Sequence, residues 1–247
     1  YLKTGAETKG AKPTKMEHLT GRRVPLTPMR KIIASRMAKS KSEAPHFYIT
    51  TEIDMSKCMA MREEINAERP PGRKDGAKVS YNDFFARAVA LSMVENRTIN
   101  SVWHGDSIEE RDEINIGIAV ALSDGLIVPV LRNVAQKGLK EIAKDSASLV
   151  EKARNNKLTP DEYQGGTFTI SNLGTFDIDN FIAIVNPGES AILAIGKIAM
   201  RPVVRDGKIE VRPICKVTLS CDHRVLDGAI AGKFLQRVKE LMEAGGL

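Results

Sequence analysis

Two polar side chains, four residues apart, stand out near the C-terminal end of the sequence. The stretch SCDHRVLDGAIAGKF, residues 220–234, contains His223, one of four histidines, and Asp227. An imidazole, with a pKa of about 6.5, can accept a proton near neutral pH, and a carboxylate can orient it. The structural alternatives are that His223 only forms part of a turn and that Asp227 caps the following helix.

A thiol and a hydroxyl are the other candidates for chemistry. Cys221 precedes His223 by two residues, a spacing that allows a cysteine–histidine nucleophile, although a strand cysteine is more often a small buried side chain. Ser171 follows TFTI and precedes NLG, so its hydroxyl either donates to an oxyanion or begins a turn. No G-x-S-x-G surrounds Ser171, which argues against a hydrolase serine. The nearby glycines lack the spacing of phosphate-binding loops.

The flanking patterns place His223 between two elements. Apolar and polar residues alternate over 217–220, which predicts a strand. Beyond Asp227, apolar residues recur every three or four positions, which predicts a helix with Ile230, Phe234, Val238 and Leu241 on one face. His223 is therefore expected at the carboxyl end of a strand, directly before a helix.

Elsewhere the sequence alternates predicted helices and strands. Helices are expected from Thr27 (N-cap) and Pro28, over about 55–68, from a Ser80–Asp83 capping box to about 96, and over the amphipathic stretch that begins KGLKEIAKD. Strands are expected at 46–54, 114–122, 126–131, 167–171, 191–199 and 214–220, with a hairpin turn at Asp206-Gly207. This order predicts an α+β fold in two layers, a mixed sheet with helices packed on it.

Composition excludes several classes of function. The chain has 247 residues, and no apolar run reaches the ~18 residues of a membrane span. The net charge of +6 is concentrated in residues 1–42, where 11 Lys and Arg face 2 acidic residues, and the rest of the chain is slightly acidic. Aromatic residues make up only 5%, so neither nucleic acid nor a membrane is an expected partner. Three cysteines without a C-x-x-C motif favour a reducing compartment and no metal site.

Four blocks of the sequence resemble one known family. SCDHRVLDG resembles the H-x-x-x-D-G signature shared by dihydrolipoyl acyltransferases and chloramphenicol acetyltransferase, and DHR-x-x-DG is the form found in the acyltransferases. PLTPMRKIIASRMAKSK, INIGIAVALSDGLIVPVLRN and GGTFTISNLG resemble further blocks in the same order, so the resemblance covers about residues 24–244. It implies a chloramphenicol acetyltransferase-like trimer with its active site between neighbouring subunits. Residues 1–25 would end an interdomain linker, and 26–247 would form the catalytic domain.

The resemblance also implies an activity and roles for residues. The chain would be the core of the acyltransferase of a 2-oxo acid dehydrogenase complex, moving an acyl group from a dihydrolipoyl arm to coenzyme A. His223 matches the family's general base, Asp227 its acidic neighbour and Ser171 the hydroxyl that stabilises the oxyanion. Arg36, in IASRM, falls where the family places an arginine able to pair with that acid. FTISNLG resembles acetyl-transferring members, with branched-chain acyl or succinyl transfer as the alternative.

Partners and location follow from the same resemblance. Coenzyme A would be a substrate, and the lipoyl group would come from a separate lipoyl domain rather than be attached to this chain; no metal is required. Trimers would assemble into a larger core, joined to the decarboxylase and dihydrolipoyl dehydrogenase components through domains absent here. The expected location is the bacterial cytoplasm or, alternatively, the mitochondrial matrix. A non-catalytic structural core and a cysteine hydrolase are the competing functions.

Overall fold

The computed structural model describes residues 21–68, 77–122 and 125–245. The helices are α1 (Pro28–Glu43), α2 (Ser56–Ala67), α3 (Tyr81–Glu95), α4 (Leu139–Arg154), α5 (Pro160–Tyr163) and α6 (Gly228–Ala244). The strands are β1 (His46–Asp54), β2 (Ser101–Trp103), β3 (Ile108–Glu110), β4 (Ile116–Ile118), β5 (Val120–Leu122), β6 (Gly125–Ile127), β7 (Val130–Leu131), β8 (Phe168–Asn172), β9 (Ala191–Arg205) and β10 (Lys208–Asp222). Within these ranges, no helix is long and apolar enough to cross a membrane.

A six-stranded mixed sheet organises the chain. Its order is β1-β10-β9-β8-β4-β7, with parallel pairing of β9 to β8 and of β8 to β4 and antiparallel pairing elsewhere. Two short antiparallel pairs, β2-β3 and β5-β6, lie outside it. The predicted mixed sheet of an α+β fold is therefore confirmed.

One face of the sheet carries the hydrophobic core. Side chains that alternate along the strands point to this face and meet apolar residues of α2, α3, α4 and α6. Its fully buried members include Ile53, Phe84, Ile116, Phe168, Leu193, Leu219 and Phe234. These four helices thus form a single layer against one face of the sheet, as the sequence predicts.

The opposite face is crossed by an extended stretch, residues 177–190, which we call the crossing segment. Lys197 on β9 donates its backbone N–H to Ile178 O, at 2.8 Å. Thr218 Oγ1 on β10 donates to Asn180 Oδ1, at 2.6 Å. His46 Nε2 on β1 accepts the Val185 N–H, at 3.1 Å. Hydrogen bonds to β9, β10 and β1 therefore hold this segment to the sheet, and its Val185 side chain is buried.

The β9–β10 hairpin projects beyond the helices as a long arm. Asp206 and Gly207 form its turn, with φ of 49° and 76°, as predicted. The register places Val204 opposite Ile209, so that one face of the arm is apolar and exposed, with Met200, Val204, Ile209 and Val211 each more than 60% accessible. The sequence predicts this hairpin, between 191–199 and 208–212, but with shorter strands than the observed Ala191–Arg205 and Lys208–Asp222.

Two predicted helix caps are present, whereas two of the predicted strands and the burial of α1 differ from expectation. Thr27 caps α1 through Arg30 N, and Asp83 accepts from Ser80 N at 2.7 Å, so both predicted caps are confirmed. The strands expected at 114–122 and 126–131 are instead split into four short pieces. The apolar stripe of α1 is expected to be buried, yet Ile32 is 60% exposed in the isolated chain.

Candidate active site

His223 lies where the sequence places it, in the turn that directly follows β10. Its backbone N–H donates to Pro45 O, at 2.9 Å, which ties the turn to the start of β1. The imidazole is exposed to solvent, and one face packs on Phe47 with ring centroids 4.6 Å apart at 51°. The sheet therefore presents His223 at its rim, supported from one side and open on the other.

Asp222 and Arg224, the residues on either side of His223, form an ion pair. Arg224 Nη2 donates to Asp222 Oδ2 at 2.7 Å and Nε donates to Oδ1 at 3.0 Å, a two-point contact between guanidinium and carboxylate. The Asp222 carboxylate is 5% exposed. Sequence reasoning did not identify this pair, although its D-H-R pattern is visible in the motif.

Within this chain, Asp227 caps a helix, which is the structural alternative that the sequence leaves open. Its Oδ1 accepts the backbone N–H groups of Ala229 and Ile230, at 2.8 and 2.9 Å, so it is the N-cap of α6. Among the described residues, no hydrogen bond or ion pair joins Asp227 to His223 or to Arg36. The expected pairing of Arg36 with Asp227 stays a prediction.

Arg36 is exposed on α1 and is associated with a different acid. It contributes, with Arg111, a favourable charge to Glu189 in the crossing segment. Glu189 accepts from Thr169 Oγ1 at 2.9 Å, and burial raises its pKa to about 7. Glu189 and Thr169 were not among the candidate residues because nothing in their spacing marks them.

Ser171 is half-buried on β8, far from His223 in the same chain. The register pairs Ser171 with Ala194 on β9, and Ala194 with Thr218 on β10, whereas His223 follows Asp222 at the end of β10. Five residues along a strand and two strand spacings across place the two backbones about 19 Å apart. One chain therefore does not bring the two side chains together.

The end of β8 is held rigidly. Asn172 Oδ1 accepts the Gly174 N–H at 2.8 Å, and its Nδ2 donates to Asn82 Oδ1 on α3 at 2.7 Å. A Cβ at Gly174 would lie 2.7 Å from the Gly196 carbonyl oxygen, so this turn needs glycine. In the S-N-L-G pattern, the asparagine and the glycine therefore hold the turn that follows Ser171 and so fix the position of Ser171.

Cys221 is unsuited to act as a nucleophile. It is fully buried on the core face of the sheet, and burial raises the pKa of its thiol to about 12. Nucleophilic cysteines need an exposed thiolate near neutral pH. The geometry therefore argues against a cysteine hydrolase.

The fold defines the class of protein first. The chain has the fold of chloramphenicol acetyltransferase, with a TM-score of 0.50 over 84% of this chain and 94% of that one, and 14% identity, which shows the fold alone. Residues 18–246 match the model of the 2-oxoacid dehydrogenases acyltransferase (catalytic domain). The chain belongs to this family of catalytic domains.

Individual relatives agree with the family. The chain is 42% identical, over 92% of its length, to the dihydrolipoyllysine-residue acetyltransferase component of the pyruvate dehydrogenase complex of Rickettsia bellii. It is 44% identical, over 90% of its length, to the lipoamide acyltransferase component of the branched-chain alpha-keto acid dehydrogenase complex of Bacillus subtilis. It spans only about half of each, 54% and 52%.

One solved relative bears directly on the site residues. Azotobacter vinelandii dihydrolipoamide acetyltransferase matches with a TM-score of 0.87 and 34% identity, over 97% of this chain and all of that one. Its structure addresses the roles of a serine, a histidine and an asparagine in catalysis; the histidine lies 52 residues after the serine and four before the asparagine. Ser171, His223 and Asp227 have the same spacing.

Proposed function

We propose that this domain transfers an acyl group, most favourably acetyl, from a dihydrolipoyl arm to coenzyme A, with His223 as general base and Ser171 as oxyanion donor. The observation that carries the proposal is the shared spacing of serine, histidine and third residue with the Azotobacter enzyme, in a chain whose fold presents His223 at the sheet rim. Asp227 differs from the asparagine there. Asp227 caps α6 through its side-chain oxygen, and asparagine is as favourable as aspartate at the N-cap position of helices in general.

The chemistry requires only side chains of this chain and the two substrates. A thiol with a pKa of about 8.5 is mostly protonated at neutral pH, and an imidazole positioned beside it can accept the proton. The thiolate of coenzyme A then attacks the thioester carbonyl of the acyl-dihydrolipoyl arm. Ser171 donates to the oxygen that becomes negative, and collapse of the intermediate releases the dihydrolipoyl thiolate, which takes back the proton from His223.

The distance between the two residues requires a second copy of the chain. Ser171 and His223 are about 19 Å apart in one chain, whereas both must lie within hydrogen-bond reach of one tetrahedral intermediate. The site is therefore formed by Ser171 of one subunit and His223 of its neighbour. This supports a homotrimer, which would in turn build a larger core.

Further features of the proposal come from the relatives. Acetyl transfer is favoured by FTISNLG and by the Rickettsia relative, while the Bacillus relative keeps branched-chain acyl transfer as the alternative. A separate lipoyl domain would deliver the acyl group, and the decarboxylase and dihydrolipoyl dehydrogenase would be the other components of the complex. Both bacterial and mitochondrial relatives occur, so cytoplasm and mitochondrial matrix are the proposed locations.

The test is acetyl transfer between coenzyme A and dihydrolipoamide by purified variants. His223→Ala should lower kcat by ~10²–10⁴-fold, and Ser171→Ala by ~10²–10³-fold, with assembly unchanged. His104→Ala is the matched control, because His104 is an exposed histidine whose ring contacts Glu109 at 2.6 Å. A His223→Ala protein that keeps most of its activity, or a wild-type protein that transfers no acyl group, would contradict the proposal.

A further inference from the structure

An exposed imidazole at a strand end needs a rigid support to act as a base. His223 lies in a turn between β10 and α6, and its ring centroid is 4.6 Å from that of Phe47, at an interplanar angle of 51°. Among the residues that the structure describes, its imidazole makes no hydrogen bond. An imidazole that packs against one neighbouring ring can still rotate and tilt. The backbone of the turn must therefore fix the direction in which the side chain leaves the sheet.

We propose that Asp222, Arg224 and Trp103 form a clamp that positions His223 for catalysis. The clamp acts on the backbone on both sides of the histidine rather than on its ring, and none of its members touches the substrates. The inference rests on the proposed function for the role of His223, and it assigns the D-H-R pattern a purpose beyond the histidine itself.

Four hydrogen bonds close the clamp across His223. Asp222 Oδ1 accepts both the backbone N–H and the Nε–H of Arg224, each at 3.0 Å, and Oδ2 accepts from Nη2 at 2.7 Å and from Nε at 3.2 Å. The two flanking residues are thus joined at the side chain as well as through the chain. This fixes the peptide planes on both sides of His223.

Neighbouring elements hold the clamp in place. The Asp222 backbone N–H donates to Ser190 O, at the end of the crossing segment, at 2.8 Å. The Arg224 guanidinium carbon lies 5.6 Å from the centroid of the Trp103 ring on β2, within the range of a cation–π contact. The backbone N–H groups of Val225 and Leu226 donate to Asp222 O, at 3.1 and 3.0 Å.

The arrangement is specific to arginine. Its planar guanidinium meets a carboxylate at two points and stacks on an aromatic ring, whereas a lysine supplies one point charge. Asp222 is buried, so its carboxylate depends on these donors instead of water. A lysine at position 224 keeps the charge but loses the second contact and the stacking.

The experiment compares Arg224→Lys and Arg224→Ala with a matched arginine–acid pair on β10. Arg212 and Glu210 are also an arginine and an acid two residues apart, in contact at 2.8 Å, but they lie on the hairpin arm far from His223. Arg224→Lys should lower kcat ~10²-fold with the KM for coenzyme A unchanged, the effect of a misplacement of about 1 Å. Arg212→Lys should leave both constants unchanged.

Chemical rescue separates positioning from a structural role. Added methylguanidinium should restore part of the kcat of Arg224→Ala by occupying the contact with Asp222, whereas ethylammonium should not. A variant that assembles and keeps kcat within about twofold, or one that loses activity without any rescue, overturns the clamp.

A direct readout keeps this test separate from the proposed function. In a high-resolution structure of assembled Arg224→Ala, the His223 ring should leave its position 4.6 Å from Phe47 or take up more than one orientation. An unchanged, single ring position overturns the clamp whether or not the protein transfers acyl groups. Absence of transfer by the wild-type protein, by contrast, overturns the proposed function alone.

Discussion

At the scale of single residues, the ionisation of Glu189 makes the stability of the fold depend on pH. Burial raises its carboxyl pKa from 4.5 to about 7, although Thr169, Asn186, Arg36 and Arg111 favour the charged form. Between these two values the folded state binds more protons than the unfolded state, so the free energy of unfolding falls as pH rises from about 4.5 to about 7. The loss is complete above that window.

Glu189→Gln should remove this dependence. The amide keeps an oxygen for the Thr169 hydroxyl but carries no charge, so the variant should be more stable than the wild type at pH ~8, by on the order of 2 kcal/mol, and nearly equal to it at pH ~5. Thermal unfolding at both pH values measures the difference, with the exposed Glu63→Gln as control. Equal melting temperatures of wild type and Glu189→Gln at high pH would contradict the assignment.

The residues of the motif were only partly predictable from sequence. The strand before His223 and the helix after it are periodic enough to fix its location. The same periodicity leaves two roles open for Asp227, and the geometry selects the N-cap within this chain. Glu189 could not be found this way, because its importance comes from its hydrogen bond with Thr169 on β8 and from the charge of Arg36 on α1, neither of which is adjacent to it in sequence.

At the scale of elements, the crossing segment depends on a glycine in β9. Asp179 in this segment pairs with Lys216 at 3.0 Å and with Arg201, and these contacts lower the pKa of its carboxyl. The Asp179 backbone lies so close to Gly196 that a Cβ there would overlap its carbonyl oxygen. The sheet can accept the segment only because position 196 has no side chain.

The same substitution should have opposite effects at two glycines. Gly196→Ala should lower the melting temperature and displace the crossing segment, because the overlap involves backbone that cannot rotate away. Gly232→Ala lies in α6 with nothing within 4 Å of the new methyl group, so it should stabilise the protein by ~0.5–1 kcal/mol. Calorimetry of both variants checks this, and a Gly196→Ala protein as stable as Gly232→Ala would refute the close approach.

The elements themselves follow from sequence to different degrees. Helix α3 carries a capping box and buried apolar residues, and α4 carries an apolar stripe, so both lie close to where the sequence predicts them. The length of the hairpin arm was underestimated because Pro202 and Pro213 interrupt the strand pattern, whereas β9 and β10 pair continuously through them. The β2–β3 pair was missed because three-residue strands leave too short a pattern.

At the scale of the whole molecule, one chain leaves apolar surface and an incomplete site. Ile32 on α1 is 60% exposed and Ile209 on the arm is 78% exposed, although both belong to apolar faces. Ser171 and His223 lie about 19 Å apart on one sheet. The proposed contact with further copies of the chain would account for both features, since it would cover apolar faces and bring Ser171 of one copy near His223 of the next.

Mixed assemblies should show whether the two residues act across a subunit boundary. Particles assembled from equal amounts of Ser171→Ala and His223→Ala chains contain interfaces at which the serine of one subunit and the histidine of its neighbour are both intact. With random mixing, ~1/4 of the sites are restored, so the mixture should recover about that share of wild-type activity although neither parent is active.

The control replaces one parent with a chain that carries both substitutions. Mixed with Ser171→Ala, the double variant offers no interface with an intact serine, so activity should not exceed that of the Ser171→Ala parent. The two chains can be given different affinity tags, and only particles that bind both resins are assayed. If such particles with complementary variants are no more active than the average of their parents, Ser171 and His223 do not share a site between subunits.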